Sequence, residues 1–95
     1  MDQKTIRQQI RELLSFSPMS AREISQEVHV SEKEVYEHLI HINRSLAATH
    51  KKLDIEPAAC LHCGYVFRDR RRYSPPSHCP KCKQTHIKRP LYLIR

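Results

Sequence analysis

Cys60 and Cys63 form one Cys-x-x-Cys pair, Cys79 and Cys82 form another, and the two pairs stand 15 residues apart in a chain with 4 cysteines in all. Four thiolates at that spacing suit a tetrahedral metal ion, because each short loop presents two sulfurs and two loops close the shell. A shell filled by protein sulfur leaves no vacancy for water or substrate, so the expected role is structural rather than catalytic, and zinc is the expected ion. Two disulfides would suit a small secreted domain, but the opening MDQKTIRQQI holds no apolar signal segment, which favours a reducing cytoplasm. A thioredoxin-like redox motif needs one pair in a strand-helix context, whereas here two pairs lie in a basic, loop-rich stretch. His62, His78 and His86 lie close by as substitute ligands, yet a complete thiolate set leaves them as surface histidines.

The rest of the chain is small. At 95 residues and a mean hydropathy of −0.66 it forms one compact unit or two very small ones. No apolar run approaches the about twenty residues of a membrane span. Charge is unevenly spread: residues 1–50 carry a balance of −1 and residues 51–95 a balance of +8, so the surplus sits in the half with the cysteines. Four thiolates around one divalent ion subtract two charges from the net +7 and leave about +5. A surface of that sign favours nucleic acid or another polyanion.

The elements that must position the cysteines are legible from periodicity. Ile6, Ile10, Leu13 and Leu14 make the apolar stripe of a first helix that ends at Ser17-Pro18. Ser20 with Glu23, and Ser31 with Glu34, each have the spacing of a capping box, marking two helix starts with a short turn at His29-Val30 between the helices. The third helix, over 31–48, places Val35, Leu39, Ile42 and Leu46 on one face, opposed by Ile24, Val28 and Val30. KKLDIEP reads as a half-buried strand stopped by Pro57, and PLYLIR as a second. Because the two flank the cysteine region, an antiparallel hairpin is expected whose tip is replaced by residues 58–89. Inside that insert YVFRDRRRY and THIK are candidate strands, and SPPSH is a loop.

The knuckles CLHCGY and CPKCK resemble those of rubredoxin, in which a glycine after the second cysteine turns backbone N–H groups toward sulfur. Gly64 fits that pattern and Lys83 stands at the second glycine position. Iron is therefore the alternative metal, disfavoured by the short spacer and by the absence of tryptophan. SAREISQEVHVSEKEVYEHLIHI resembles the winged helix-turn-helix family, with His29 in the turn, a residue that enters the left-handed region more readily than most. The whole chain resembles small predicted transcriptional regulators that fuse a winged helix to a rubredoxin-like zinc ribbon. The resemblance implies an α+β fold, a three-helix winged helix-turn-helix (1–57 and 90–95) with the four-cysteine ribbon (58–89) inserted in the wing hairpin.

In such folds the second helix of the motif enters the major groove of double-stranded DNA. Its exposed stripe here is Lys33, Glu37 and Arg44, flanked by Glu32, Glu34 and His41, a nearly charge-balanced face in which Lys33 and Glu37 could pair with each other. Uncompensated cations lie elsewhere: Lys51 and Lys52; Arg68, Arg70, Arg71 and Arg72; Lys81, Lys83, Lys88 and Arg89. Tyr65, Phe67 and Tyr73 interleave with the arginines, either as base-stacking groups or as packing around the cysteines. The expected division of labour is readout by the third helix and phosphate contact by the basic wing.

Two rival functions use the same parts. Archaeal general transcription factor E also joins a winged helix to a four-cysteine ribbon, which implies RNA polymerase or another transcription protein as partner. A metal- or redox-responsive regulator would reshape its wing on metal loss. Hydrogenase nickel-insertion chaperones share a four-cysteine domain but require histidine where this chain has Asp2. No nucleophile, base and pocket combine here, so an enzyme is not expected. Tyr36, Ile40 and Ala47 form a second apolar flank on the third helix, open to a homodimer or to the first helix.

Overall fold

The computed structural model describes residues 4–68 and 73–95. Helix α1 (Ile6–Phe16) starts at Thr5, whose side chain accepts the Gln8 N–H at 3.1 Å while the Gln8 side chain accepts the Thr5 N–H at 2.9 Å. This reciprocal cap has the Thr-x-x-Gln form of the motif and was not among the sequence expectations. Helix α2 (Ala21–Val28) has the expected reciprocal cap between Ser20 and Glu23. Helix α3 (Glu32–Leu46) has only half of the expected device: Ser31 accepts the Glu34 N–H at 3.1 Å, but the exposed Glu34 side chain does not return the bond. Between α2 and α3, His29 adopts φ 59° and ψ 47°, the left-handed turn that the sequence asked of it.

The three helices enclose one apolar cluster. Ile10 and Leu14 from α1, Ile24 and Val28 from α2, and Val35, Leu39, Ile42 and Leu46 from α3 are all buried, as their spacing predicts. Strands β1 (Leu53–Glu56) and β4 (Leu91–Ile94) pair antiparallel from Leu53↔Ile94 to Glu56↔Leu91. Leu53, Tyr92 and Ile94 close the cluster from that side. Ile55 instead faces solvent, so the alternation in KKLDIEP buries only Leu53. Met19 exchanges two backbone hydrogen bonds with Tyr92, of 3.1 and 2.8 Å, and so adds a third extended segment beside β4.

The segment between β1 and β4 carries a second, smaller pair, β2 (Ala59–Cys60) with β3 (Ile87–Lys88). THIK therefore contributes strand only at its second half. The expected strand YVFRDRRRY is not formed over its described part: Val66 makes a single bridge to Ala59 and Arg68 lies in a turn, because no extended partner is available beyond that contact. Residues 69–72, including Arg70, Arg71 and Arg72, lie outside the described residues. The molecule is elongated, 51 × 28 × 19 Å. Among the described residues no helix is long and apolar enough to cross a membrane.

Candidate metal centre

Each cysteine pair sits on a tight turn whose hydrogen bonds repeat residue for residue. In the first, Gly64 N–H donates to the Cys60 carbonyl at 3.0 Å and Cys60 N–H donates to the Tyr65 carbonyl at 2.7 Å. In the second, Lys83 N–H donates to the Cys79 carbonyl and Cys79 N–H to the Gln84 carbonyl, both at 2.9 Å. The turn requires a left-handed residue after the second cysteine, and Gly64 (φ 81°) and Lys83 (φ 65°) both supply it. An L-residue there costs roughly 1–2 kcal/mol of backbone strain, so Lys83 occupies a position for which its type is poorly suited.

The two turns bring all four sulfurs within 4.8 Å of one another. Across the turns Cys60 Sγ is 3.5 Å from Cys82 Sγ, and Cys63 Sγ is 3.6 Å from Cys79 Sγ. A tetrahedral zinc ion with bonds of about 2.3 Å spaces its sulfurs about 3.8 Å apart, so the donor set fits the ion with little adjustment. Backbone N–H groups already face the sulfurs, from Cys63 to Cys60 at 3.5 Å and from Lys81 to Cys79 at 3.4 Å. The Cys63 N–H, outweighing burial, pulls Cys60 down to about 6, helped by the His62 N–H. Burial pushes Cys79 up, but the N–H groups of Cys82 and Lys81 together lower it. Cys82 is pushed up to about 12, since burial and the adjoining sulfurs outweigh the Gln84 N–H. Backbone N–H groups thus lower Cys60 and Cys79 toward the thiolate form that a cation binds, and metal binding displaces the remaining protons. Among the described residues no histidine joins this group, so His62, His78 and His86 are not its ligands.

Residues 57–95 match the PF0610 rubredoxin-like zinc β-ribbon domain, and residues 5–53 match the PF0610-like N-terminal domain. The chain belongs to the PF0610-like family. Its fold is similar to the solution NMR structure of protein PF0610 from Pyrococcus furiosus, with a TM-score of 0.80 and 28% identity over 100% of this chain and 95% of that one. No curated protein matches the chain. In this PF0610-like chain the four cysteines hold one structural zinc ion.

The cations named from sequence divide into two groups. Lys88 Nζ lies 3.4 Å from Glu56 and the Arg89 guanidinium 2.6 Å from Glu32, so both are engaged by carboxylates. Lys33, Arg44, Lys51, Lys52, Arg68, Lys81 and Lys83 are exposed, and none has an ion-pair partner among the described residues. Lys33 and Glu37 do not pair. The Arg89–Glu32 contact joins the end of the ribbon to the first turn of α3, a link across 57 residues that no local pattern signals. Tyr73 belongs to neither the cysteines nor the exposed basic surface. It packs against the helical cluster with its ring 5.9 Å from that of Tyr92, and its carbonyl accepts the Tyr92 hydroxyl. Tyr65 and Phe67 make an edge-to-face pair at 5.0 Å beside the first cysteine turn.

Proposed function

We propose that this PF0610-like chain is a zinc-containing, DNA-binding transcriptional regulator of the winged helix-turn-helix type. One observation carries the reading: α2, a left-handed turn and α3 stand before a β1–β4 hairpin that Met19 extends by a bridge. A helix pair backed by a small antiparallel sheet is the layout that offers one helix to the major groove and a hairpin to the flanking phosphates. In this reading α3 contributes limited readout through Lys33, Glu37 and Arg44. The hairpin and its ribbon supply phosphate contacts from Lys51, Lys52, Arg68, Lys81 and Lys83, joined by Arg70, Arg71 and Arg72. The zinc ion holds that basic surface in shape and does no chemistry, and the protein works in a reducing compartment where four thiols persist.

Titration of genomic duplex fragments at two salt concentrations, with and without chelator, tests this. Saturable binding should weaken with salt, and each lysine replaced by alanine at a true phosphate contact should reduce the slope by about 0.9. Absence of binding to any duplex would end the proposal. A second reading has its own support: Leu61 on the first cysteine turn is 69% exposed, an apolar tip suited to a protein partner such as RNA polymerase. Duplex binding seen only with polymerase present would favour it.

A further inference from the structure

The four sulfurs of the metal centre are unequal. Cys60 and Cys79, the first cysteine of each turn, are 3% and 0% exposed, Cys82 is intermediate, and Cys63 is exposed. The Cys63 N–H donates to the Cys60 sulfur at 3.5 Å and the Lys81 N–H to the Cys79 sulfur at 3.4 Å. Among the described residues no N–H makes a well-formed hydrogen bond to the sulfur of Cys63 or of Cys82, and of these two Cys63 is the exposed one. An N–H donor withdraws electron density from a thiolate and blunts its attack on electrophiles, so Cys63, exposed and without such a donor, is the most accessible nucleophile of the set. Approach is also open: a β-carbon built on Gly64 would meet nothing within 4 Å, and neighbouring Leu61 is 69% exposed. Across the turns the Cys79 sulfur lies 3.6 Å from that of Cys63.

We propose that Cys63 is a modification site for soft electrophiles, hydroperoxides among them, and that Cys79 is its resolving partner. This rests on the zinc site and is independent of whether the protein binds DNA. The Cys63 thiolate attacks one peroxide oxygen: an S–O bond forms, the O–O bond breaks, and hydroxide or alkoxide leaves with the electron pair. The Cys79 thiolate then attacks the sulfenic sulfur, forming the S–S bond and expelling hydroxide. Two electrons pass from sulfur to peroxide, and the two anions released are neutralised by two protons from the buffered solvent. Two of the four donors are consumed, and the capacity to retain the metal is lost.

The zinc-loaded wild-type chain tests this without any variant. Brief treatment with substoichiometric N-ethylmaleimide, followed by tryptic mapping, should label Cys63 about fivefold or more above Cys60 and Cys79. Hydrogen peroxide should release zinc to a chromophoric chelator in step with a Cys63–Cys79 disulfide found by peptide mapping. Labelling led by Cys82 or a buried cysteine, or a disulfide dominated by Cys60–Cys63, would overturn the assignment. Cys63→His keeps a Cys3His donor set of a kind that zinc accepts, and should slow peroxide-driven zinc release about fivefold or more. An unchanged rate in the zinc-loaded variant would equally overturn it.

Discussion

The two halves of the molecule are held together by different physics. Twelve buried residues form the cluster of the helices and the β1–β4 pair, most of them leucine, isoleucine or valine. Between Pro57 and Pro90 the buried hydrophobic residues described are Ala58, Cys60 and Cys79. One small methyl and two thiols cannot offset the conformational entropy of ordering more than thirty residues, which runs at roughly 1–2 kcal/mol per residue for the backbone alone. The ribbon is therefore a fold by coordination and the helical unit a fold by apolar burial.

Metal removal should expose that difference most strongly. With excess chelator, amide resonances of the ribbon should collapse to unfolded positions while those of α1, α2 and α3 stay dispersed in the same spectrum. Loss of both sets at one chelator concentration would mean a single cooperative unit and would break the comparison. The next largest effect belongs to the helical side. Leu39 is fully buried among all three helices, and Leu39→Ala should cost about 2–5 kcal/mol in urea unfolding followed by helical circular dichroism. The same substitution should leave the ribbon's zinc affinity nearly unchanged.

Legibility in the sequence follows the same line. The three helices could be read because a 3.6-residue period acts within a few neighbouring positions, and the serine caps of α2 and α3 for the same reason. The Thr5–Gln8 cap of α1 was not foreseen, and the Glu34 half of the α3 box did not form. The cysteine cluster could be read because the spacing of its ligands is itself local. What stayed hidden is non-local: the Met19 bridge to Tyr92, the Arg89–Glu32 pair, the burial of Tyr92 in the helical cluster and the packing of half-buried Tyr73 against it. Tyr92 looks in sequence like one residue of a short terminal strand, yet it is 0% exposed and touches both halves. The extended reading of 65–68 failed for a related reason: alternation alone does not supply a partner strand.

Tyr92 makes the boundary between the halves testable. Its hydroxyl donates to the carbonyl of Tyr73, a residue of the ribbon segment, while its ring fills the helical cluster. Tyr92→Phe keeps the ring and removes that bond, at a cost of about 1–2 kcal/mol where a partly buried carbonyl loses its donor. The penalty should appear in helical unfolding of the zinc-loaded protein and shrink after chelation, once residue 73 is released. An equal penalty in both states would show that the contact does not couple the two halves.

The smallest effect separates the two cysteine turns from each other. Gly64 and Lys83 hold equivalent left-handed positions, but only one has the residue type that such a backbone favours. Lys83→Gly relieves roughly 1–2 kcal/mol of strain, against the roughly 0.5–1 kcal/mol of extra chain entropy that glycine loses on folding. A net gain of up to about 1 kcal/mol is expected in the thermal stability of the zinc-loaded ribbon. Gly64→Ala should do the reverse by a similar amount. Its added methyl would meet no atom within 4 Å, so the loss would be conformational and not steric. Opposite signs from the pair would establish that the second turn carries lysine at a cost to its own stability. If the same Lys83→Gly chain then binds duplex DNA with a salt slope about one contact shallower, the cost has its explanation in phosphate contact. An unaltered slope would leave Lys83 as strain with no return in binding, and would leave the phosphate contacts of the proposed wing to its other cations, Lys51, Lys52, Arg68 and Lys81 among them.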